Sequence, residues 1–130
     1  MITTSFGMSN VQYQQQRQAE IRQRYNDIYA HERKHKNAAG KYGGSIVIEK
    51  DANGVPTGGH VNVQMPVLDK QNPQNTIKHA DIIIKSAMAP DDPSKQDYKV
   101  AAEARGIKAQ AKAQQFQNNS QVGSRLNFYA

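Results

Sequence analysis

Two histidines and a glutamate stand at a spacing that could bind a metal ion and hydrolyse an amide bond. The segment His31-Glu32-Arg33-Lys34-His35 has the pattern H-E-x-x-H. On an α-helix, residues four apart lie one turn apart on the same face, so His31 and His35 can direct two imidazole nitrogens to one point. Glu32 is set back from that point, where its carboxylate can act as a general base on water. The pattern predicts a zinc site of the metalloprotease type; a solvated helix face is the simpler alternative.

A long helix must position this motif. Residues 12–37 contain neither Gly nor Pro, and Ile21 and Ile28 fall on the same helical stripe as Glu32 and His35. The face that packs on the core at Ile21 and Ile28 should therefore turn Glu32 and His35 toward the protein interior. A glycine-containing segment follows, and glycine supplies the backbone conformation in which helices commonly end.

The rest of the chain predicts a β-hairpin and two further helices. The hairpin has strands at residues 45–50 and 55–64 around an Asp-Ala-Asn-Gly turn, and the helices cover residues 73–89 and 94–116. The fold class is therefore α+β: a small, mainly helical, zincin-like single domain over residues 12–116. Residues 1–11 and 117–130 are polar and without periodicity, and they are predicted to be tails.

Composition excludes several other classes of protein. The chain has 130 residues, 37% of them hydrophobic, and a mean hydropathy of −0.83. It has no apolar run long enough for a membrane span and no signal-peptide pattern, so the default expectation is a cytoplasmic protein, with export by a signal-independent route as the alternative. There is no cysteine, which leaves histidines and carboxylates as the ligands for a transition metal.

The net charge of +6 raises the question of a nucleic-acid partner. Residues 12–41 carry seven basic side chains and three acidic ones, a surplus of four. These charges are interrupted by glutamines and acids and match no DNA- or RNA-reading motif, so a solvated helix face is favoured over a nucleic-acid surface.

The order of the pieces resembles a known family. H-E-x-x-H is followed by A-A-G-x-Y-G-G, a hairpin with a D-x-N-G turn, Gly-Gly before a valine-containing strand, N-P-x-x-T-I, and A-M-A-P-x-x-P-S-x-Q-D-x-x-V-A-A. Together these motifs, over roughly residues 20–115, resemble the small bacterial SprA-related family, whose members are described as predicted metalloproteases. The resemblance implies that His31 and His35 are zinc ligands and that Glu32 is the general base.

The third zinc ligand is less clear from the sequence. The family pattern typically has Glu after the Gly-Gly pair, where this chain has His60. Two His with one Glu, and three His, are both ligand sets of catalytic zinc. His60 is therefore the candidate third ligand, with an exposed strand histidine as the alternative. Tyr42 could donate a hydrogen bond to an oxyanion, although packing on the hairpin is the simpler role.

The resulting prediction is a zinc-dependent peptidase acting on a peptide or protein. Two alternatives remain. One is a non-catalytic interaction module that keeps the fold and could keep the metal, and the other, less favoured, is a basic nucleic-acid-binding protein. The substitution of Glu32 separates an enzyme from a metal-binding module, because only the enzyme needs the base.

Overall fold

A computed structural model describes the backbone of residues 9–129 and the side chains of residues 9–121. This part of the chain is mainly helical with one antiparallel hairpin, so the predicted α+β class is confirmed. Its elements in chain order are α1 (Asn10–Ala39), β1 (Gly43–Lys50), β2 (Pro56–Val63), α2 (Pro73–Ala87) and α3 (Lys95–Tyr129).

The helices agree with the sequence in number and order but extend further at both ends of the chain. Helix α1 begins at Asn10, inside the predicted N-terminal tail, and α3 continues to Tyr129 through the predicted C-terminal tail. Polar residues such as Gln and Lys propagate a helix that has already nucleated, even without an apolar stripe. Residues 1–8 and 130 of the predicted tails lie outside the described residues.

Two glycines with positive φ determine where α1 and β1 end. Gly40 (φ +56°) follows α1 directly and begins a single 3-10 turn. The helix therefore ends at a glycine, as the sequence predicts. Gly54 (φ +79°) lies in the hairpin turn, where the Asp51 Oδ1 atom accepts hydrogen bonds from the backbone N–H groups of Asn53 (2.8 Å) and Val55 (3.0 Å). The predicted turn is confirmed, and its aspartate side chain organises it.

The chain forms two compact units: residues up to 33 with residues 46–60, and residues 34–45 with residues 61 onward. In the first unit, α1 lies against the hairpin. A Cβ atom added at Gly59 of β2 would be 2.8 Å from the Ile28 Cγ2 atom, so the strand backbone approaches the helix as closely as a glycine permits. The Lys50 Nζ atom lies 5.7 Å from the centre of the Tyr25 ring and adds a cation–π contact.

The second unit has a core of small side chains. Helices α2 and α3 pack against each other, and Ala80 and Ile83 of α2 and Ala101 and Ala104 of α3 are each 0% exposed. Alanine at three of these four positions lets the two helix backbones approach closely. None of the helices in the described part of the chain has the length and apolar character that crossing a lipid bilayer demands.

Candidate metal centre

His35 is buried and held in one orientation by α2. The residue is 5% exposed, and its Nδ1 atom lies 2.7 Å from the backbone carbonyl oxygen of Ser86. A carbonyl oxygen only accepts hydrogen bonds, so Nδ1 carries the proton and donates it. The Ser86 hydroxyl in turn donates to the His35 carbonyl oxygen at 2.6 Å. This reciprocal pair fixes both the rotation and the tautomer of the ring, which leaves Nε2 as the nitrogen available to a metal.

Asp97, in the first turn of α3, faces that second nitrogen. Its Oδ1 atom lies 3.1 Å from His35 Nε2. Its Oδ2 atom accepts a hydrogen bond from the backbone N–H of Ser94 (2.8 Å), and the Asp97 N–H donates to the Ser94 hydroxyl (3.1 Å). Ser94 and Asp97 therefore form a capping box at the start of α3. The cap holds the carboxylate so that one oxygen stabilises the helix and the other faces His35.

His31, His35 and Asp97 bring three potential ligand atoms together. These atoms all lie within 4.8 Å of one another, and His31 is on the same continuous helix as His35, one turn earlier. Two ligand atoms bound to one tetrahedral zinc at about 2.1 Å are separated by about 3.4 Å. The observed spacing of Nε2 and Oδ1 is close to that value, and two imidazoles with one carboxylate are an established zinc ligand set. The donor types and the spacing of Nε2 and Oδ1 are thus compatible with zinc, and the three residues are a group that could hold a metal ion.

The charges around His35 also favour a cation. Both ring nitrogens face oxygen acceptors, the Ser86 carbonyl on one side and the Asp97 carboxylate on the other. A neutral imidazole has a single N–H, and Nδ1 carries it, so the Nε2 lone pair points toward a carboxylate oxygen. A cation shared by Nε2 and Oδ1, whether a proton or a metal ion, makes this contact attractive.

Glu32 is buried in the first unit, where β2 covers it. The residue is 6% exposed, and its Cγ atom is 3.1 Å from the position that a Cβ atom would take at Gly59. The prediction that Glu32 and His35 face the interior is therefore confirmed, because both residues are buried. His31, between the buried and exposed faces of α1, is partly exposed.

His60 lies beside a carboxylate of the neighbouring strand. Its Nδ1 atom is 3.0 Å from Glu49 Oε1 on the neighbouring strand, and the His60 side chain is 46% exposed. Among the described residues, the group that could hold a metal contains Asp97 and not His60. His60 as third ligand stays a prediction without a supporting contact. The exposed-strand alternative matches its alternation with Val61 and Val63, which are less exposed.

Tyr42 packs on α2. Its ring stacks on His79 with centroids 3.6 Å apart and planes 14° apart, and the His79 Nε2 atom lies 2.7 Å from the Gln64 carbonyl oxygen. The Tyr42 carbonyl oxygen accepts a hydrogen bond from the Gln64 N–H (2.8 Å). The Tyr42 ring therefore packs on α2 and not on the hairpin, while its backbone carbonyl is bonded just after β2; the oxyanion role stays a prediction.

Asp97 is the site residue that the sequence reasoning did not identify as a ligand. It was noted only within the motif P-S-x-Q-D. The structure places the cap of the last helix at Ser94. The pattern S-x-x-D over residues 94–97 is a capping-box signal and could have located the start of α3. It could not have brought Asp97 to His35, because that contact depends on how the helices pack.

A comparison with protein families gives one match over most of the chain. A model described as the SprA-related family matches residues 7–122, which include α1, the hairpin, α2 and most of α3. No curated protein and no solved structure matches the chain.

Proposed function

Because the chain belongs to the SprA-related family, we propose that it is a zinc-dependent peptidase in which His31 and His35 bind the metal and Glu32 is the general base. The motif, the burial of two of its three residues and the ligand-like spacing around His35 all support this function. It also agrees with the family resemblance that the sequence motifs indicate.

The orientation of His35 is the observation that carries the proposal. A metal-binding histidine typically donates its other ring N–H to a carbonyl or carboxylate, which fixes the tautomer and makes the ligand nitrogen more basic. His35 does this with the Ser86 carbonyl at 2.7 Å. The other ring nitrogen, Nε2, faces the Asp97 carboxylate at 3.1 Å, so an anionic oxygen lies where a second ligand of the same metal would be expected.

The chemistry divides between the metal and Glu32. Bound zinc would polarise the scissile carbonyl and acidify the attacking water. The Glu32 carboxylate accepts a proton from that water as the oxygen attacks the carbonyl carbon, and it then donates the proton to the leaving nitrogen when the C–N bond breaks. Its burial under Gly59 limits competing contacts with solvent and holds the carboxylate on one side of α1.

The hairpin supports a peptide as the substrate class. In the described part of the chain the sheet contains β1 and β2 alone, so each strand has an edge that is unpaired within this sheet. An extended peptide can pair with such an edge through its backbone, and in the first unit β2 passes directly over Glu32 at Gly59. A small amide without an extended backbone would gain nothing from this edge.

The test is zinc content and hydrolysis in three proteins: the wild type, Glu32→Gln and His35→Ala. The wild type should bind one zinc and cleave casein or a mixture of quenched fluorescent peptides. Glu32→Gln should keep the zinc and lose cleavage, because an amide cannot accept the proton. His35→Ala should lose both. Equal zinc binding by the wild type and His35→Ala would refute the metal assignment.

The same three proteins test the alternative of a non-catalytic module. Cleavage unchanged by Glu32→Gln would come from a contaminating protease and would contradict the proposed enzyme. Stoichiometric zinc without cleavage of any peptide in the mixture would favour a metal-binding interaction module over a peptidase.

A further inference from the structure

We infer that Asp97 is the third protein ligand of the proposed zinc site and that Ser94 positions it through the cap of α3. The inference rests on the proposed function, since it concerns the same metal. The third ligand is thus placed in the first turn of α3, at Asp97, whereas the sequence suggested His60 in a strand.

The two oxygens of Asp97 have separate roles. Oδ2 accepts the Ser94 N–H at 2.8 Å, which satisfies a backbone donor that the first turn of α3 would otherwise leave unpaired. Oδ1 is directed at His35 Nε2, 3.1 Å away. A carboxylate fixed by one oxygen can bind a metal through the other without losing further rotational freedom, so less conformational entropy is lost on binding.

Charge and burial favour Asp97 over His60. Two neutral imidazoles and one carboxylate reduce the +2 charge of zinc to a net +1. Three neutral imidazoles would leave the full +2 charge in a partly buried site, where charge is costly. The Asp97 side chain is 15% exposed and the His60 side chain is 46% exposed. In addition, Glu49 Oε1 already lies 3.0 Å from His60 Nδ1.

Ser94 acts through Asp97. Its hydroxyl accepts the Asp97 N–H at 3.1 Å, and its own N–H fixes Oδ2. Without the hydroxyl, the Ser94 N–H can still bind Oδ2, but the backbone N–H of Asp97 loses its partner, so the first turn of α3 that carries the carboxylate is held less firmly. Ser94 is therefore a positioning residue.

Zinc affinity, measured by competition with a chromophoric chelator, tests the ligand assignment. Asp97→Asn is the main variant, because asparagine can still accept the Ser94 N–H and so preserve the cap while removing the charge. His60→Ala is the matched control for the rival ligand. Asp97→Asn should weaken zinc binding by more than about 100-fold, beyond the 10–100-fold typical of residues around the ligands. His60→Ala should bind zinc as the wild type does.

Cobalt substitution gives a readout that does not depend on activity. The visible absorption of Co²⁺ bound to the protein depends on its ligands, so it should change in Asp97→Asn and stay the same in His60→Ala. The opposite pattern, with affinity and spectrum altered by His60→Ala alone, would overturn the inference and leave the proposed function in place. Loss of zinc in His35→Ala with no effect of either other variant would also overturn it. A wild type that binds no zinc would refute the proposed function itself.

The role of Ser94 is tested by the stability that zinc adds. A residue that only capped α3 would lower the melting temperature equally with and without zinc. Ser94→Ala should instead reduce the zinc-induced rise in melting temperature and weaken zinc binding by about 10-fold. Ser94→Thr, which keeps a capping hydroxyl, should restore both. An unchanged zinc-induced rise in Ser94→Ala would show that Ser94 has a structural role only and would overturn this part of the inference.

Discussion

Gly59 is the position where one methyl group should most clearly perturb the site. A Cβ atom there would lie 2.8 Å from the Ile28 Cγ2 atom, 2.9 Å from the Val47 carbonyl oxygen and 3.1 Å from the Glu32 Cγ atom. Carbon atoms in favourable contact are about 3.5–4.0 Å apart, so Gly59→Ala forces the strand or the helix to move. Gly58→Ala is the matched control, because its Cβ atom meets only Glu49 Oε2, at an ordinary 3.8 Å.

The size of the effect follows from overpacking. Inserting a methyl group into a close contact costs about 1–3 kcal/mol. Both variants also restrict the unfolded chain, which stabilises each protein by about 0.4–1 kcal/mol, so the difference between Gly59→Ala and Gly58→Ala isolates the clash. At about 4 °C for each kcal/mol in a protein of this size, Gly59→Ala should melt about 4–12 °C below Gly58→Ala.

Thermal unfolding followed by circular dichroism measures this difference. Because Glu32 is one of the residues displaced, peptide cleavage by Gly59→Ala should also fall below that of Gly58→Ala at a temperature where both are folded. If the two variants melted together and cleaved equally well, β2 would not lie against α1 at Ile28 and Glu32, and the account of how Glu32 is buried would be wrong.

The remaining predictions concern stability and the metal. Ser86→Ala removes the 2.6 Å hydrogen bond from the Ser86 hydroxyl to the His35 carbonyl and should cost about 0.5–1.5 kcal/mol in the free energy of unfolding, measured by urea denaturation. His79→Ala removes the stack on Tyr42 and should cost about 0.5–1.5 kcal/mol in the same assay, mostly from lost aromatic packing. Lys108→Ala breaks the 2.6 Å ion pair between Lys108 and Asp81 of α2. This pair lies at the protein surface, so its loss should change the free energy of unfolding by less than about 1 kcal/mol. Addition of a chelator should lower the melting temperature of the wild type and leave that of His35→Ala unchanged, because only a protein that binds zinc gains stability from it.

Local patterns explain why much of the fold follows from the sequence. The stripe through Ile21, Ile28, Glu32 and His35 predicts α1 and its inward face, because helical periodicity is set by backbone geometry alone. The same geometry places His31 and His35 one turn apart. The hairpin follows equally directly from alternation and from a turn whose aspartate and glycine have local conformational roles.

Tertiary packing decided which distant residues meet this helix. Ser86 is 51 positions from His35 in the chain, and nothing in the local sequence of either residue indicates their contact. The sequence marks Gly58 and Gly59 as a pair, yet only Gly59 lies against α1. Strand alternation determines which face His60 occupies, but only the packed hairpin shows that this face carries Glu49.

The third ligand illustrates the same division. The sequence by itself determined that His31, Glu32 and His35, the proposed ligands and base, lie within little more than one turn of α1, because their spacing on one helix fixes their geometry. The carboxylate that faces His35 comes from the first turn of α3, and its direction depends both on a local capping box and on where α3 packs. The cap is encoded over four neighbouring residues, but the position of α3 depends on the alanine-rich contact with α2, which only the folded chain establishes.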